Sequence, residues 1–304
     1  MIYQVRHRTT YRYDALVTYA RCTLRLTPRD TADQSLIEHA ISIWPKPARL
    51  THRTGPFGER ITAVLVEAPH RELRIEANSR VQVRRLNAGR EMRGAAWESV
   101  RDAAVCSATL EISGPANFLY PTAMTPILAP LTDYAAACFT PGRPIVEAAF
   151  ELARAFRADF DYDPKATVVS TPAIEAFAAR RGVCQDFTHI MLSGLRGLGL
   201  ACAYVSGYLR TEPPPGKPRL EGADATHAWV ALWCGEALGW IGFDPTNGIV
   251  VGDDHIELAL GRDYSDVAPI DGIILASGDQ NLTVGVDVTP ITETSDATGV
   301  GAFL

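Results

Sequence analysis

The chain has 304 residues, 47% of them hydrophobic, with a formal net charge of −6 and a pI near 5.7. That supplies a sizeable core, more than one domain by length, and its interspersed charges exclude the electrostatic footprint of a nucleic-acid binder. No window approaches the ~18 consecutive apolar residues of a membrane-spanning helix, and the opening MIYQVRHRTTYRYD lacks the apolar centre of a secretion signal, so a cytoplasmic setting is expected, with neither nucleic acid nor membrane as partner.

Residues 1–110 alternate in the manner of strands: YQVRHRTTYRY, CTLRLTP, EHAISIWP, ERITAVLVEA and RIEANSRVQVRRL, punctuated by Pro, Gly and Asp. With no helical period between them, they predict an antiparallel, sandwich-like β domain. Residues 111–144 carry Pro115, Pro121, Pro126, Pro130, Pro141 and Pro144 and read as a linker with one short helix around LTDYAAACF. An amphipathic helix follows over 145–158, with Ile145, Ala149, Leu152 and Phe156 on one stripe. TPAIEAFAAR predicts a second helix, with Gly182 as the left-handed residue that ends it. A third begins at Cys184 and carries Phe187, Met191, Leu195 and Leu198 until Gly199 stops it.

Beyond that point the period changes to two in ACAYVSGYL, HAWVALWC and GWIGFDP. The loop TEPPPGKPRLEGAD separates the first two strands, and CGEALG closes the last two into a hairpin. The second half is therefore helices packed on an antiparallel sheet, and the whole an α+β protein. The predicted division is a β domain at 1–110, a linker at 111–144, a catalytic core at 145–250 and an extension at 251–304. In that extension, residues 268–291 read as a hairpin and 292–304 as a frayed end.

The six cysteines (Cys22, Cys106, Cys138, Cys184, Cys202, Cys234) form no C-x-x-C pair and read as free thiols. Cys184 stands apart because it opens a helix. The unpaired N–H groups and positive dipole end found there favour a thiolate. His227 opens the strand HAWV and Asp244 closes GWIGFD, so pairing of these strands can bring imidazole and carboxylate together at one sheet edge. If the helix start packs against that edge, the thiol meets the other ring nitrogen. The carboxylate would then orient and charge the imidazole, and backbone N–H groups near Cys184 would hold an oxyanion.

GVCQDFTH, DATHAWV and GWIGFDPTNG, taken in that order, resemble the transglutaminase-like superfamily in its bacterial branch. His7, Tyr11, Tyr13 and LRLTPR resemble the N-terminal β domain of the same branch, with Leu16 where that domain often has proline. The resemblance implies a papain-like core with Cys184 as nucleophile, His227 as general acid/base and Asp244 as orienting carboxylate. It further implies attack on the carboxamide of a peptide or protein substrate through a thioester, resolved by water in a peptidase or amidase, or by an amine in a crosslinking enzyme. Hydrolysis is the expectation. Nothing has the spacing of a calcium loop, so neither a metal nor another cofactor is expected.

Other readings are weaker. Cys184, His189, His227 and Cys234 supply zinc-compatible atoms but not at the spacings of closed zinc sites. A catalytically dead binding module would be expected to have lost part of the triad. His189 lies off the face of Cys184 and reads as a packed histidine, Asp186 as a helix-start residue, and Trp229, Trp233 and Trp240 as sheet core.

Overall fold

The first six elements are strands, all but the fourth marked by alternating burial: β1 (Ile2–Val17), β2 (Tyr19–Leu24), β3 (Gln34–Trp44), β4 (Arg49–Thr54), β5 (Arg60–Val66) and β6 (His70–Val83). They belong to a computed structural model that describes residues 1–85, 92–109, 111–211, 222 and 225–291. The remaining elements are α1 (Trp97–Val105), α2 (Ala129–Ala136), α3 (Ile145–Asp159), β7 (Asp161–Tyr162), α4 (Ala173–Ala179), β8 (Arg181–Gly182), α5 (Cys184–Gly197), β9 (Cys202–Leu209), β10 (Ala225–Trp233), β11 (Trp240–Asp244), β12 (Ile249–Val250), β13 (His255–Gly261), α6 (Tyr264–Val267), β14 (Ile270–Leu275) and β15 (Gln280–Ile291).

The expected sandwich is present as two four-stranded antiparallel sheets, ordered β15-β1-β6-β3 and β14-β2-β5-β4. One face of β1 buries Tyr3, Val5, His7, Thr9 and Tyr13. Its first part packs with Val81, Val83, Val286 and Val288 against Tyr208, Ile256 and Leu258 of the core sheet. Its second part, with Leu73, Ile75 and Ala77, closes on Cys22, Leu24, Val64 and Val66 of the opposite sheet. A single long strand thus serves two cores, because a side-chain period of two keeps all these residues on one face. β4 is exposed along its whole length, so RLTHRT carries no alternation to announce it.

The extension departs from expectation. β14 and β15 do not pair with each other: β14 adds to β2, and β15 lies along β1 from Ile2↔Ile291 to Tyr13↔Gln280. β13 joins the core sheet beside β9. The segment 251–291 is therefore shared between the two halves. Its final stretch, 292–304, lies outside the described residues, as does the loop TEPPPGKPRLEGAD apart from Thr211 and Gly222. The region up to residue 110 is also not purely β, since α1 forms at its end.

In the second half, α5 packs on a five-stranded sheet ordered β12-β11-β10-β9-β13. Every residue of α5 from Asp186 to Arg196 is buried, so the helix is enclosed on all sides. Its end follows the expected form: Gly199 takes a positive φ of 78° and Leu200 N–H reaches back to the Leu195 carbonyl. Gly194 and Gly197 leave room for α2, since a Cβ at either would lie within 3 Å of Leu131, Ala135 or Thr132 atoms. The segment read as a linker is part of this packing. The buried Arg196 guanidinium donates to the Phe118 carbonyl, Thr125 Oγ1 and the carbonyls of Cys202 and Arg262, pinning 118–125 onto α5. Among the described residues no helix is long and apolar enough to cross a membrane.

Candidate active site

The turn before Cys184 is built by residues whose roles differ from the sequence expectation. The left-handed residue that ends α4 is Arg180, at φ 54°, and its guanidinium stacks on Tyr134, Phe160 and Phe177. Gly182 is extended, in the short parallel pair β7–β8. It is needed for a different reason: a Cβ there would stand 2.6 Å from Asp186 Oδ2. The Asp186 carboxylate fills that space, accepting from the Val183 N–H at 2.8 Å and Thr167 Oγ1 at 2.6 Å. It closes the first turn of α5 as expected. The N–H groups of Cys184, Gln185 and Asp186 then have no intrahelical partner, which leaves donors around the thiol.

His227 and Asp244 meet, though not as direct cross-strand neighbours. The β10–β11 register pairs Val230 with Phe243. One step further puts Asp244 opposite Trp229, so His227 is the diagonal neighbour on the same face. Its Nε2 lies 2.8 Å from Asp244 Oδ2. Cys184 stands beside the same ring, close enough to raise its pKa. With Nε2 committed to the carboxylate, Nδ1 is the nitrogen that faces the thiol. All three predicted residues come together, at the start of α5, the start of β10 and the end of β11. Cys184 is half-buried, while His227 and Asp244 are buried.

Electrostatics favour an ion pair within this set. Burial opposes the charge on His227 most strongly, but the hydrogen bonds and charges of Asp244 and Cys184 outweigh it and lift its pKa well above the ordinary 6.5. For Asp244, burial likewise pushes upward, and bonds from His227 and His255 reverse it, holding the carboxyl far below its usual range. A raised histidine contributes stability that is complete below its unfolded pKa of 6.5 and is lost as pH rises through the folded value. A depressed aspartate contributes stability above its unfolded 3.8 that is lost as pH falls. The stability advantage of the native chain over His227→Gln, measured by urea unfolding, should therefore be greatest between about pH 4 and pH 6.5 and shrink on both sides. A pH-independent difference would refute the ion pair.

Sequence reasoning missed His255. It opens β13 and is buried, with Nε2 3.1 Å from the same Asp244 Oδ2. Asn247 Nδ2 also donates to Oδ2 at 2.6 Å, while the N–H groups of Thr246 and Asn247 donate to Oδ1. Asp-Pro-Thr-Asn therefore both starts a turn and fixes the Asp244 carboxylate. Trp229 packs against both histidines, edge-on to His255 at 5.2 Å and tilted on His227 at 6.2 Å. Gly207 gives it room, since a Cβ there would come within 2.4 Å of the indole.

The zinc-compatible set is not gathered. His189 Nε2 accepts from the Tyr264 N–H, and Cys234 Sγ turns to the Leu232 carbonyl. Among the described residues, one cluster has metal-ligand chemistry, His227, Asp244 and His255, within 4.8 Å of one another. There both imidazoles are already engaged with the carboxylate. Trp229 and Trp233 are buried in the sheet as expected. Trp240 is only partly buried and donates its indole N–H to the Ser113 carbonyl.

Residues 3–82 match the bacterial transglutaminase-like N-terminal region, and residues 132–245 match the transglutaminase-like superfamily. An uncharacterized protein of Mycobacterium tuberculosis strain H37Rv is 40% identical over 301 residues, spanning 95% of this chain and 92% of its own. One from Mycobacterium leprae is 34% identical over 291 residues, spanning 94% and 98%. The crystal structure of a proposed cysteine protease from Cytophaga hutchinsonii shares the fold, with a TM-score of 0.72 at 18% identity over 96% of this chain and 92% of that one.

Proposed function

The chain belongs to the transglutaminase-like superfamily, in the bacterial group that carries the N-terminal region, and from that premise we propose that it is a cysteine peptidase or amidase with Cys184 as nucleophile. The observation that carries this reading is the convergence of Cys184 and Asp244 on one imidazole, His227, which is bonded to Asp244 at 2.8 Å and has its pKa raised by both neighbours. In the proposed reaction His227 holds the thiol proton, and the Cys184 thiolate adds to the carbonyl carbon of an amide. The oxyanion that forms lies near the unpartnered N–H groups at the start of α5. His227 then passes its proton to the departing amine, the C–N bond breaks and a thioester remains. A water gives its proton to His227, attacks the thioester and releases the acid and the thiolate. Asp244 keeps the imidazole turned towards sulfur and stabilises its charge.

Water is assigned as acceptor on the family resemblance and on the description of the Cytophaga protein as a proposed cysteine protease. The proline-rich loop before β10, expected to give water an open path, lies mostly outside the described residues. A screen of peptide, isopeptide and glutamine-containing amides identifies an accepted substrate, which is then offered with millimolar cadaverine. Free acid should dominate the products by mass spectrometry. If the cadaverine adduct dominates, the protein is an amine transferase. If no amide is turned over, the cysteine-enzyme reading itself falls.

A further inference from the structure

We propose that His255 is a positioning residue for this reaction, holding the Asp244 carboxylate through the same oxygen that His227 uses. The inference rests on the assignment of Asp244 as the orienting carboxylate and adds a fourth residue to the three already assigned.

The two neighbours of the ring fix its tautomer. His255 Nδ1 lies 3.4 Å from the Gly252 backbone nitrogen. A backbone N–H can only donate, so Nδ1 is the acceptor and the ring proton sits on Nε2. Nε2 faces Asp244 Oδ2 at 3.1 Å and donates to it. His255 is therefore a neutral imidazole with both nitrogens used. Burial keeps it so: desolvation outweighs the pull of Asp244, with the charges of His227 and Arg85 acting in the same direction as burial. One carboxylate oxygen thus serves two histidines in different states, a charged one that works and a neutral one that holds.

The donors to Asp244 divide by origin. Thr246 and Asn247 belong to the turn that follows it and move with it. His255 comes from β13, on the opposite side of β9 from β10 and β11. It therefore references the carboxylate to a separate part of the sheet. That part is firmly anchored in turn. Arg85 donates through Nη1 to the carbonyls of Gly252 and His255, and its backbone N–H reaches Asp253 Oδ1 at 2.7 Å. Asp254 accepts from Tyr3 Oη at 2.9 Å and Arg210 Nε at 2.6 Å. Gln34 bonds both backbone groups of Glu257, at 2.8 and 2.9 Å. Through Tyr3, Gln34 and Arg85 the N-terminal half sets the place of His255, and through His255 the angle of the catalytic carboxylate.

The test compares His255→Phe with His255→Gln. The phenyl ring keeps much of the packing on Trp229 but gives Asp244 no donor; the glutamine amide restores an N–H. His255→Phe should lose about 10- to 100-fold in kcat with KM nearly unchanged, and the alkaline limb of its pH–rate profile should move to lower pH as the Asp244–His227 pair loosens. His255→Gln should recover most of both. If the phenylalanine variant is folded and keeps its kcat and both limbs, the proposal is wrong. It is equally wrong if glutamine and phenylalanine lose alike. Should His255→Phe fail to fold, the native protein decides through ¹⁵N-histidine NMR. The expected state from pH 5 to 9 is a neutral Nε2–H ring, and an Nδ1–H tautomer or a cation overturns the assignment. Activity in Asp244→Asn would instead undo the underlying triad, so the two failures are told apart.

Discussion

Brief treatment with iodoacetamide at pH 6 is expected to modify Cys184 and to abolish turnover in proportion. Accessibility narrows the field first: Cys22, Cys138, Cys202 and Cys234 are buried, leaving Cys106 and Cys184. Chemistry separates those two. Cys106 caps the C-terminal end of α1, where the dipole repels an anion, whereas Cys184 opens α5, where dipole and unpaired N–H groups attract one. His227 stands beside Cys184 and is held as a cation by Asp244, which sets a positive charge next to the sulfur. Peptide mapping after short exposure should place the label on Cys184, with Cys106 following only at longer times or higher pH. Cys184→Ala should lower turnover of an accepted amide by at least about 10⁴-fold while the melting temperature stays near that of the native chain, since the half-exposed side chain contributes little packing. Faster labelling of Cys106, or a folded alanine variant that still turns over, would remove Cys184 as nucleophile.

What the sequence disclosed follows the physical range of each signal. α3 and the sheet strands were legible because burial of one face imposes a period, 3.6 for Ile145, Ala149, Leu152 and Phe156 and 2 for Tyr3, Val5, His7 and Thr9. Cys184, His227 and Asp244 were legible because each sits at an element boundary that local sequence announces. β4 was missed because all its side chains face solvent. The pairing of β14 and β15 was misassigned because two strands joined by ASGD satisfy every local rule for a hairpin. What separates them is that each completes a sheet begun some 250 residues earlier, and contact at that range leaves no local mark.

The same limit hid His255. Nothing near VGDDHIEL distinguishes a histidine aimed at a buried carboxylate from one on a strand surface, and its partner comes from another strand of the sheet. Gly182 illustrates the converse. A glycine after a helical run suggested a left-handed cap, yet Arg180 takes that conformation, supported by three aromatic rings. The glycine was informative, but about the space that Asp186 needs, not about its own φ.

Asp244→Asn is the substitution expected to reveal how far catalysis depends on one carboxylate oxygen. In the native chain Oδ2 accepts from His227, His255 and Asn247, while Oδ1 accepts from the Thr246 and Asn247 N–H groups. An asparagine that keeps its oxygen on the turn must set an NH₂ group against three donors. His227 can accommodate this by moving its proton to Nδ1, the nitrogen that faces Cys184, and a ring protonated there while neutral cannot take the thiol proton. The corresponding change in a serine triad costs about 10⁴ in turnover through the same tautomer shift, and a loss of that order is expected here. His255 can adjust only by giving up its bond to Gly252. Some stability should therefore go as well, about 1–3 kcal/mol for a buried donor left without an acceptor, read from urea unfolding at pH 7. The loss of turnover should far exceed what the folded fraction explains, because a variant destabilised by that amount remains almost wholly folded at 25 °C if the native chain has ordinary stability. A folded variant with native turnover would reduce Asp244 to a turn residue, and the line from Cys184 through His227 would end in packing, not in chemistry.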